Sequence, residues 1–436
     1  MLSVSALRRR IVGLAVGRNV SSRGSTLTSI IREHSTLTGS AKSTTSSKSA
    51  LILLAGGAVT IASCLYTTKQ VLNESTPVPS PYGDIEYDLT EFPTGLNAEL
   101  ILKPLGTVYE QVPGLDRTLP MREQMEILLR FYQDEIIAGL ERADSTGKKF
   151  IRDEWSRGEG MGGGITRVFQ DGRVFEKGGV NFSSIRGELP PAAAQKMKAN
   201  HKDLVIPENG KLPFYACGLS LVIHPRHYLA PSVHLNYRYF ETRNADGTPQ
   251  SWWFGGGQDL SPMYYDESDA YYFHKLLKDV CDYHDPGYYP RFKKWADEYF
   301  YIKFRGEARG IGGIFFDDLN NDDPEKIFKF VGDALSRFLP SYLPAVKKAY
   351  LPSTEPRPTA EAGKHWQGLR RGRYAEFNLA VDRGTQFGLN TPGSRVESIL
   401  MTLPKHCSWE YNYQPVPGSL EDKTQQAIKK PTSFFE

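Results

Sequence analysis

Three polar side chains stand at alternate positions in the stretch SVHLNYRYF, Ser232 to Phe240: His234, Asn236 and Arg238. In an extended strand, residues two apart share a face. A titratable ring, an amide and a permanent cation therefore converge on one side. Val233, Leu235, Tyr237 and Tyr239 occupy the other side. Solvent-facing strand positions normally carry Lys, Glu and Thr, whereas this set, with Trp252, Trp253 and GGGQD close by in sequence, suits holding a flat, polar-rimmed ligand. The preceding run GLSLVIH has the same alternation, with Ser220, Val222 and His224 on one face and Leu219, Leu221 and Ile223 on the other. Paired as a hairpin, the two strands place Ser220, His224, His234, Asn236 and Arg238 in one patch.

Downstream, WWFGGGQDLSP sets Trp252 and Trp253 before three glycines and then Asp259. Glycines let another backbone or a ligand approach closely, and they also mark bulges and bends. The carboxylate that follows can accept hydrogen bonds from N–H groups at the bottom of a cleft. Nearer the C-terminus, TPGSRVESILMTL has Ser394 three residues before Glu397 and ahead of an apolar run. That spacing predicts a capping box with a helix starting at Ser394. The free N–H groups of the start, beside Arg395, make an anion site. An ordinary cap with a solvated arginine is the plain alternative.

Helical periodicity predicts helices over Pro120–Asp144, Asp266–His284, Tyr289–Phe304 and Asp323–Leu339. Strands are predicted in ITRVFQDGRVFEKGGVNFSSIRG, broken at its Asp-Gly, in YACGLSLVIHP, in the His234 stretch, in SWWFGGG, in GGIFFDDL and in RYAEFNLAV. Consecutive strands joined by short turns form an antiparallel meander, and blocks of helix before and after it give an α+β domain. GEGMGGGI lacks the lysine and helix of a phosphate loop and reads as a turn.

The chain has 436 residues, 40% of them hydrophobic and 24% charged, enough to bury a large core. Residues 1–48 hold eight Lys and Arg against one acid, Glu33, among many Ser and Thr, the composition of a mitochondrial transit peptide. Without that leader, 53 basic and 50 acidic residues become 45 and 49. The net negative balance argues against a nucleic-acid binder. Residues 49–68 contain the uncharged run Ala50–Tyr66, read as a membrane or sorting segment. A Pro-rich linker spans 69–83, and one catalytic domain runs over 84–436. Arrest at the inner membrane would leave that domain in the mitochondrial intermembrane space. Cys64, Cys217, Cys281 and Cys407 form no CxxC pair, against a zinc finger or disulfide scaffold.

Five segments in order, APSVHLNYRYFE, WWFGGGQDLSP, RGEARGIGGIFFDDL, RRGRYAEFNL and DRGTQFGLNTPGSRVESILMTLP, resemble the oxygen-dependent coproporphyrinogen oxidase family, from about Asp84 to Tyr413. The resemblance implies a homodimer and a single domain whose large flat antiparallel sheet is sandwiched between layers of helices. It implies that two propionates of coproporphyrinogen III become vinyl groups, with O2 as co-substrate and no other cofactor. Family substrate contacts fall on Ser220, Asn236, Tyr237, Arg238, Gly393, Ser394 and Arg395. The proton donor falls on His234, and Asp259 matches the carboxylate that meets the pyrrole N–H groups. Arg238 completes the catalytic set. Two positions depart from the family: Ala296 stands for a usual Cys and Phe304 for a usual His. A metal-dependent oxygenase using His224, His234 and His274 is one alternative, and a tetrapyrrole carrier without turnover is another.

Overall fold

The computed structural model describes residues 89–436 except 202–203, 245, 321–322, 391–392 and 436. The transit peptide, the Ala50–Tyr66 segment and the linker fall outside the described residues. Seven strands form one antiparallel sheet in the order β1-β2-β3-β4-β5-β6-β9. They are β1 (Ile151–Ser156), β2 (Gly162–Gln170), β3 (Phe175–Leu189), β4 (Leu212–Pro225), β5 (Ser232–Arg243), β6 (Pro249–Ser261) and β9 (Gly313–Leu319). A two-residue ribbon, β7 (Tyr301–Ile302) with β8 (Glu307–Ala308), precedes the last of them. The α+β meander is as the turn chemistry predicts. Asp171 at the β2–β3 turn adopts φ 58°, a left-handed conformation that Asp tolerates better than most residues.

Each strand of the hairpin core sorts its residues by side. Leu219, Leu221, Val233, Leu235, Tyr237, Tyr239 and Phe254 are buried in one continuous core. That core also takes in α1 (Met121–Asp144), α3 (Glu267–His284), α4 (Tyr288–Tyr299), α5 (Pro324–Ser336) and α6 (Phe338–Tyr350), while α2 (Pro191–Asn200) buries Ala194 in a small separate cluster with Leu204 and Leu212. Cap chemistry sets several starts: Asp266 accepts from the Asp269 N–H, and Asp323 accepts from the Glu325 N–H ahead of Pro324. The other sheet face carries α7 (Ala360–Glu376), a π-helical turn (Phe377–Val381), α8 (Arg383–Asn390) and α9 (Val396–Leu400). Arg371 of α7 pairs with Glu176 of β3, and Ser398 of α9 bonds Thr166 and Asn181.

Three element boundaries differ from expectation. RYAEFNLAV is the end of α7 and the π-helical turn, not a strand. Short apolar runs do not separate the two periods, and Tyr374, Ala375, Phe377 and Asn378 are all buried on the helix. The helix predicted to Phe304 stops at Tyr299, after which β7 begins. The helix predicted to Leu339 ends at Ser336, and a separate one follows despite Pro344, because Phe338, Tyr342 and Val346 are buried at helical spacing. No helix among the described residues is long and apolar enough to cross a membrane.

Candidate active site

Strand register decides which side chains meet. Val222 lies opposite His234, and His234 opposite Asp259; Ser220 lies opposite Asn236, and Asn181 of β3 opposite Ser220. Directly opposed residues point to the same face. Of the expected patch, Ser220, His234, Asn236 and Arg238 therefore share a face that Asp259 joins from β6, whereas His224 is fully buried, bonded to Ser232 and the Thr402 carbonyl.

Asp259 is 1% exposed and holds three charge-assisted bonds. His234 Nδ1 lies 2.8 Å from Oδ1, Arg309 Nη2 2.6 Å from Oδ1, and Arg309 Nε 2.9 Å from Oδ2. Burial alone pushes an acid's pKa up; here Arg309 and His234 outweigh it and hold Asp259 below the usual carboxylate range. Arg309 is 3% exposed, and its guanidinium lies against the rings of Phe300, Phe377 and Tyr374. Burial works against its charge, and the Asp259 carboxylate more than restores it.

An ionised carboxylate only accepts, so His234 must donate from Nδ1. Its Nε2 makes no hydrogen bond to a described residue, and the side chain is 19% exposed. His234 is thus the accessible end of a buried relay, with its tautomer fixed from behind. The arrangement can hold an imidazole lone pair or an imidazolium proton at one defined place.

Two rows along β5, the Arg238 guanidinium lies flat over Gly255, where a Cβ would come within 2.7 Å of Nη2. It donates to Asp317 Oδ1 at 2.7 Å and, more weakly, to Asn236 Oδ1 at 3.4 Å. Of the three glycines, Gly255 is therefore the one that admits a functional side chain. On the far side of the face, Met401 covers Gly179 and the Thr402 carbonyl accepts from His224 Nε2 at 2.9 Å.

Several expectations need correction. Tyr237 is fully buried on the helix side of the sheet, because odd positions of β5 face the core, so its side chain cannot touch a ligand lying against His234. Asp259 does not present a bare carboxylate to the cleft, since His234 and Arg309 occupy both of its oxygens. The capping box is not formed: α9 begins at Val396, Arg395 holds the cap position, and no side chain caps it. Gly393 takes φ 73° in the loop before it. Arg395 pairs with Asp153 on β1, four strand spacings of about 4.8 Å from β5. Gly393, Ser394 and Arg395 therefore stand apart from the His234 group.

Nor do His224, His234 and His274 assemble. His224 donates to the Thr402 carbonyl and accepts from Ser232, while His274 donates to the Ile311 carbonyl and accepts from Tyr289. Both rings have spent both nitrogens, and no group of three His, Cys, Asp or Glu placed to hold a metal occurs among the described residues. Ala296 is buried against Phe300 and Phe315, whereas Phe304 is 62% exposed.

Arg309, Asp317 and Asn181 lie within the sequence motifs, but no residue pattern there marks them as site residues. Asn181 was within reach, since β3 alternates as β4 does. Arg309 sits in a loop after β8, where no periodicity tells which way a side chain points.

Residues 124–434 match the model of the family described as coproporphyrinogen III oxidase. A Drosophila melanogaster oxygen-dependent coproporphyrinogen-III oxidase is 54% identical over 314 residues, 72% of this chain and 78% of its own length. The mitochondrial Homo sapiens protein of that name is 50% identical over 72% of this chain and 67% of its own. A chloroplastic Glycine max protein of that name is 49% identical over 72% and 80%.

Proposed function

The chain belongs to the coproporphyrinogen III oxidase family, and from that premise we propose that it oxidatively decarboxylates two propionates of coproporphyrinogen III to vinyl groups. The products are protoporphyrinogen IX, two CO2 and two H2O2. The observation that carries the reading in this molecule is the accessible His234 held by the buried Asp259–Arg309 pair beside Ser220, Asn236 and Arg238.

Each propionate that becomes vinyl plus CO2 gives up one proton and two electrons. Dioxygen takes those two electrons and two protons to become H2O2, so each decarboxylation consumes one net proton. His234 is the group positioned to supply it from Nε2 and to recover it from water. Asp259 stabilises the imidazolium through Nδ1, and Arg309 keeps the carboxylate ionised when the ring is neutral. Arg238 receives a propionate carboxylate, and Ser220 and Asn236 bond its neighbours or the ring. O2 is the oxidant, and the reading needs no metal or flavin.

We further propose a homodimer in the mitochondrial intermembrane space, attached to the inner membrane where Ala50–Tyr66 is retained. The mitochondrial names of the mammalian relatives and the Arg-rich leader support the mitochondrion, and the intermembrane side rests on the apolar run that follows the leader.

The test is incubation of purified protein with coproporphyrinogen, with and without O2, before and after exhaustive chelation, with products read by chromatography. Vinyl products should require O2 and survive chelation. Unchanged substrate under O2 would favour a carrier. Activity that falls with a stoichiometric metal and returns on its restoration would refute the cofactor-free part alone.

A further inference from the structure

The partner of Arg238 is set by an irregularity in β9. Gly256 pairs with Phe316 but Phe254 pairs with Leu319, so Asp317 and Asp318 both face Gly255 across a bulge. Asp318 takes φ 49° there, a left-handed backbone for a residue that is not glycine. Bulges beside active sites re-aim side chains, and this one turns the Asp317 carboxylate onto the Arg238 guanidinium.

As a stability device the arrangement is weak. Arg238 and Asp317 side chains are 35% and 30% exposed. An ion pair that wet adds little to stability. The left-handed backbone at Asp318 adds some strain, though Asp tolerates it better than most residues. Two adjacent carboxylates add mutual repulsion: burial first, and the Asp317 charge next, raise Asp318 above the usual range. The bulge thus holds an acid on Arg238, the cation read as the propionate ligand, in a pair too exposed to add much stability.

We propose that Asp317 is an internal competitor for the substrate carboxylate on Arg238, a positioning residue that keeps the guanidinium over Gly255 in the free enzyme and recaptures it when the bound carboxylate leaves as CO2. The proposal rests on the reading that Arg238 binds a propionate. A guanidinium without Asp317 would be free to swing off Gly255, and it would also hold any carboxylate longer. Because an arriving propionate must share or displace Asp317, affinity is set below what Arg238 alone would give. Arg238 is returned to its place for the second propionate without a change of fold.

The probe is coproporphyrin, the oxidised and unreactive form of the substrate, with binding followed by porphyrin fluorescence on the full chain. Asp317→Asn keeps the shape and removes the charge; it should bind about three- to fivefold tighter at low salt, the range open to a pair this exposed. The gain should shrink as salt rises, and it should vanish in the Arg238→Ala background. Asp317→Ser is the second variant should the Asn protein unfold early. Unchanged or weaker binding by both variants, with Arg238→Ala still weakening it, overturns the competitor role and leaves Arg238 as a ligand. Tightening that persists without Arg238 reduces Asp317 to a general repulsive charge. No effect of Arg238→Ala overturns the underlying assignment together with the proposal.

Discussion

Asp259→Asn is the substitution that best separates a structural carboxylate from a chemical one. Asp259 receives three bonds, at 2.6, 2.8 and 2.9 Å, from two partners, one of them a guanidinium 3% exposed. Asn keeps one acceptor and turns an N–H toward groups that are themselves donors. Arg309 is then a buried charge that has lost its bonded carboxylate and keeps only the more distant charge of Asp382, close to the case in which breaking a pair costs about 3–5 kcal/mol. His234 also loses the group that fixes its Nδ1–H. The variant should therefore unfold at clearly lower denaturant, and its folded fraction should turn over at least about 100-fold more slowly, the lower range for losing a proton-transfer group. His234→Ala is the companion. It leaves Asp259 and Arg309 paired, so stability should fall by no more than about 1.5–3 kcal/mol, the worth of one charge-assisted bond, and by less than in Asp259→Asn. Turnover should still collapse. The assays are urea unfolding followed by fluorescence, and oxygen consumption on protein shown to be folded. Parent-like stability and turnover in Asp259→Asn would refute the account of the pair. Normal turnover in His234→Ala would move the proton supply elsewhere.

Acid sensitivity follows from three histidines held down to about 3 by burial first, with Arg371 acting on His224, Arg357 on His227 and Lys293 on His274. Their folded pKa values are depressed, so this stability is complete above the unfolded value of 6.5 and declines as pH falls from there toward about 3, each contributing about 1.4 kcal/mol per unit. A urea midpoint that stays flat between pH 7.5 and 5 would contradict it. Arg395→Ala should weaken coproporphyrin binding by about 1.5–3 kcal/mol if the arginine leaves Asp153 for a propionate; an unchanged affinity in folded protein would leave Arg395 a tie between α9 and β1. In mitochondria with the outer membrane opened and the inner membrane intact, added protease should degrade the domain, and protection until the inner membrane is lysed would place it in the matrix.

What the sequence made legible was whatever period two controls. The alternation in β4 and β5 assigned His234, Asn236, Arg238 and Ser220 to one face, and pairing by hairpin brought them together without further information. The same rule places the Tyr237 side chain in the core, so the substrate contact that the family resemblance puts there falls to its backbone. What period two does not control was hidden. Arg309 comes from a loop, and its direction is decided by the depth of the ring-lined pocket formed by Phe300, Phe377 and Tyr374. Asp317 owes its aim to a bulge, which shifts the register by a step that no alternation announces. The Ser394 start failed because a capping box fits many loops, and here Arg395 is drawn out to Asp153 and takes the cap position itself.

The buried pair also resolves a conflict that a free Asp259 would create. Coproporphyrinogen carries four carboxylates, and a lone carboxylate on the floor of its cleft would repel all of them through a medium that screens poorly. It would also protonate on burial and lose its use as a partner for imidazolium. With Arg309 beneath it, the floor is neutral while His234 is neutral, and carries one positive charge once His234 is protonated. On the reading that His234 supplies the proton, the electrostatic state that favours a polyanionic substrate is also the state that holds the proton the reaction consumes. Discharge of that proton then returns the floor to neutrality as one carboxylate departs as CO2, which relaxes the attraction for the macrocycle between the two decarboxylations.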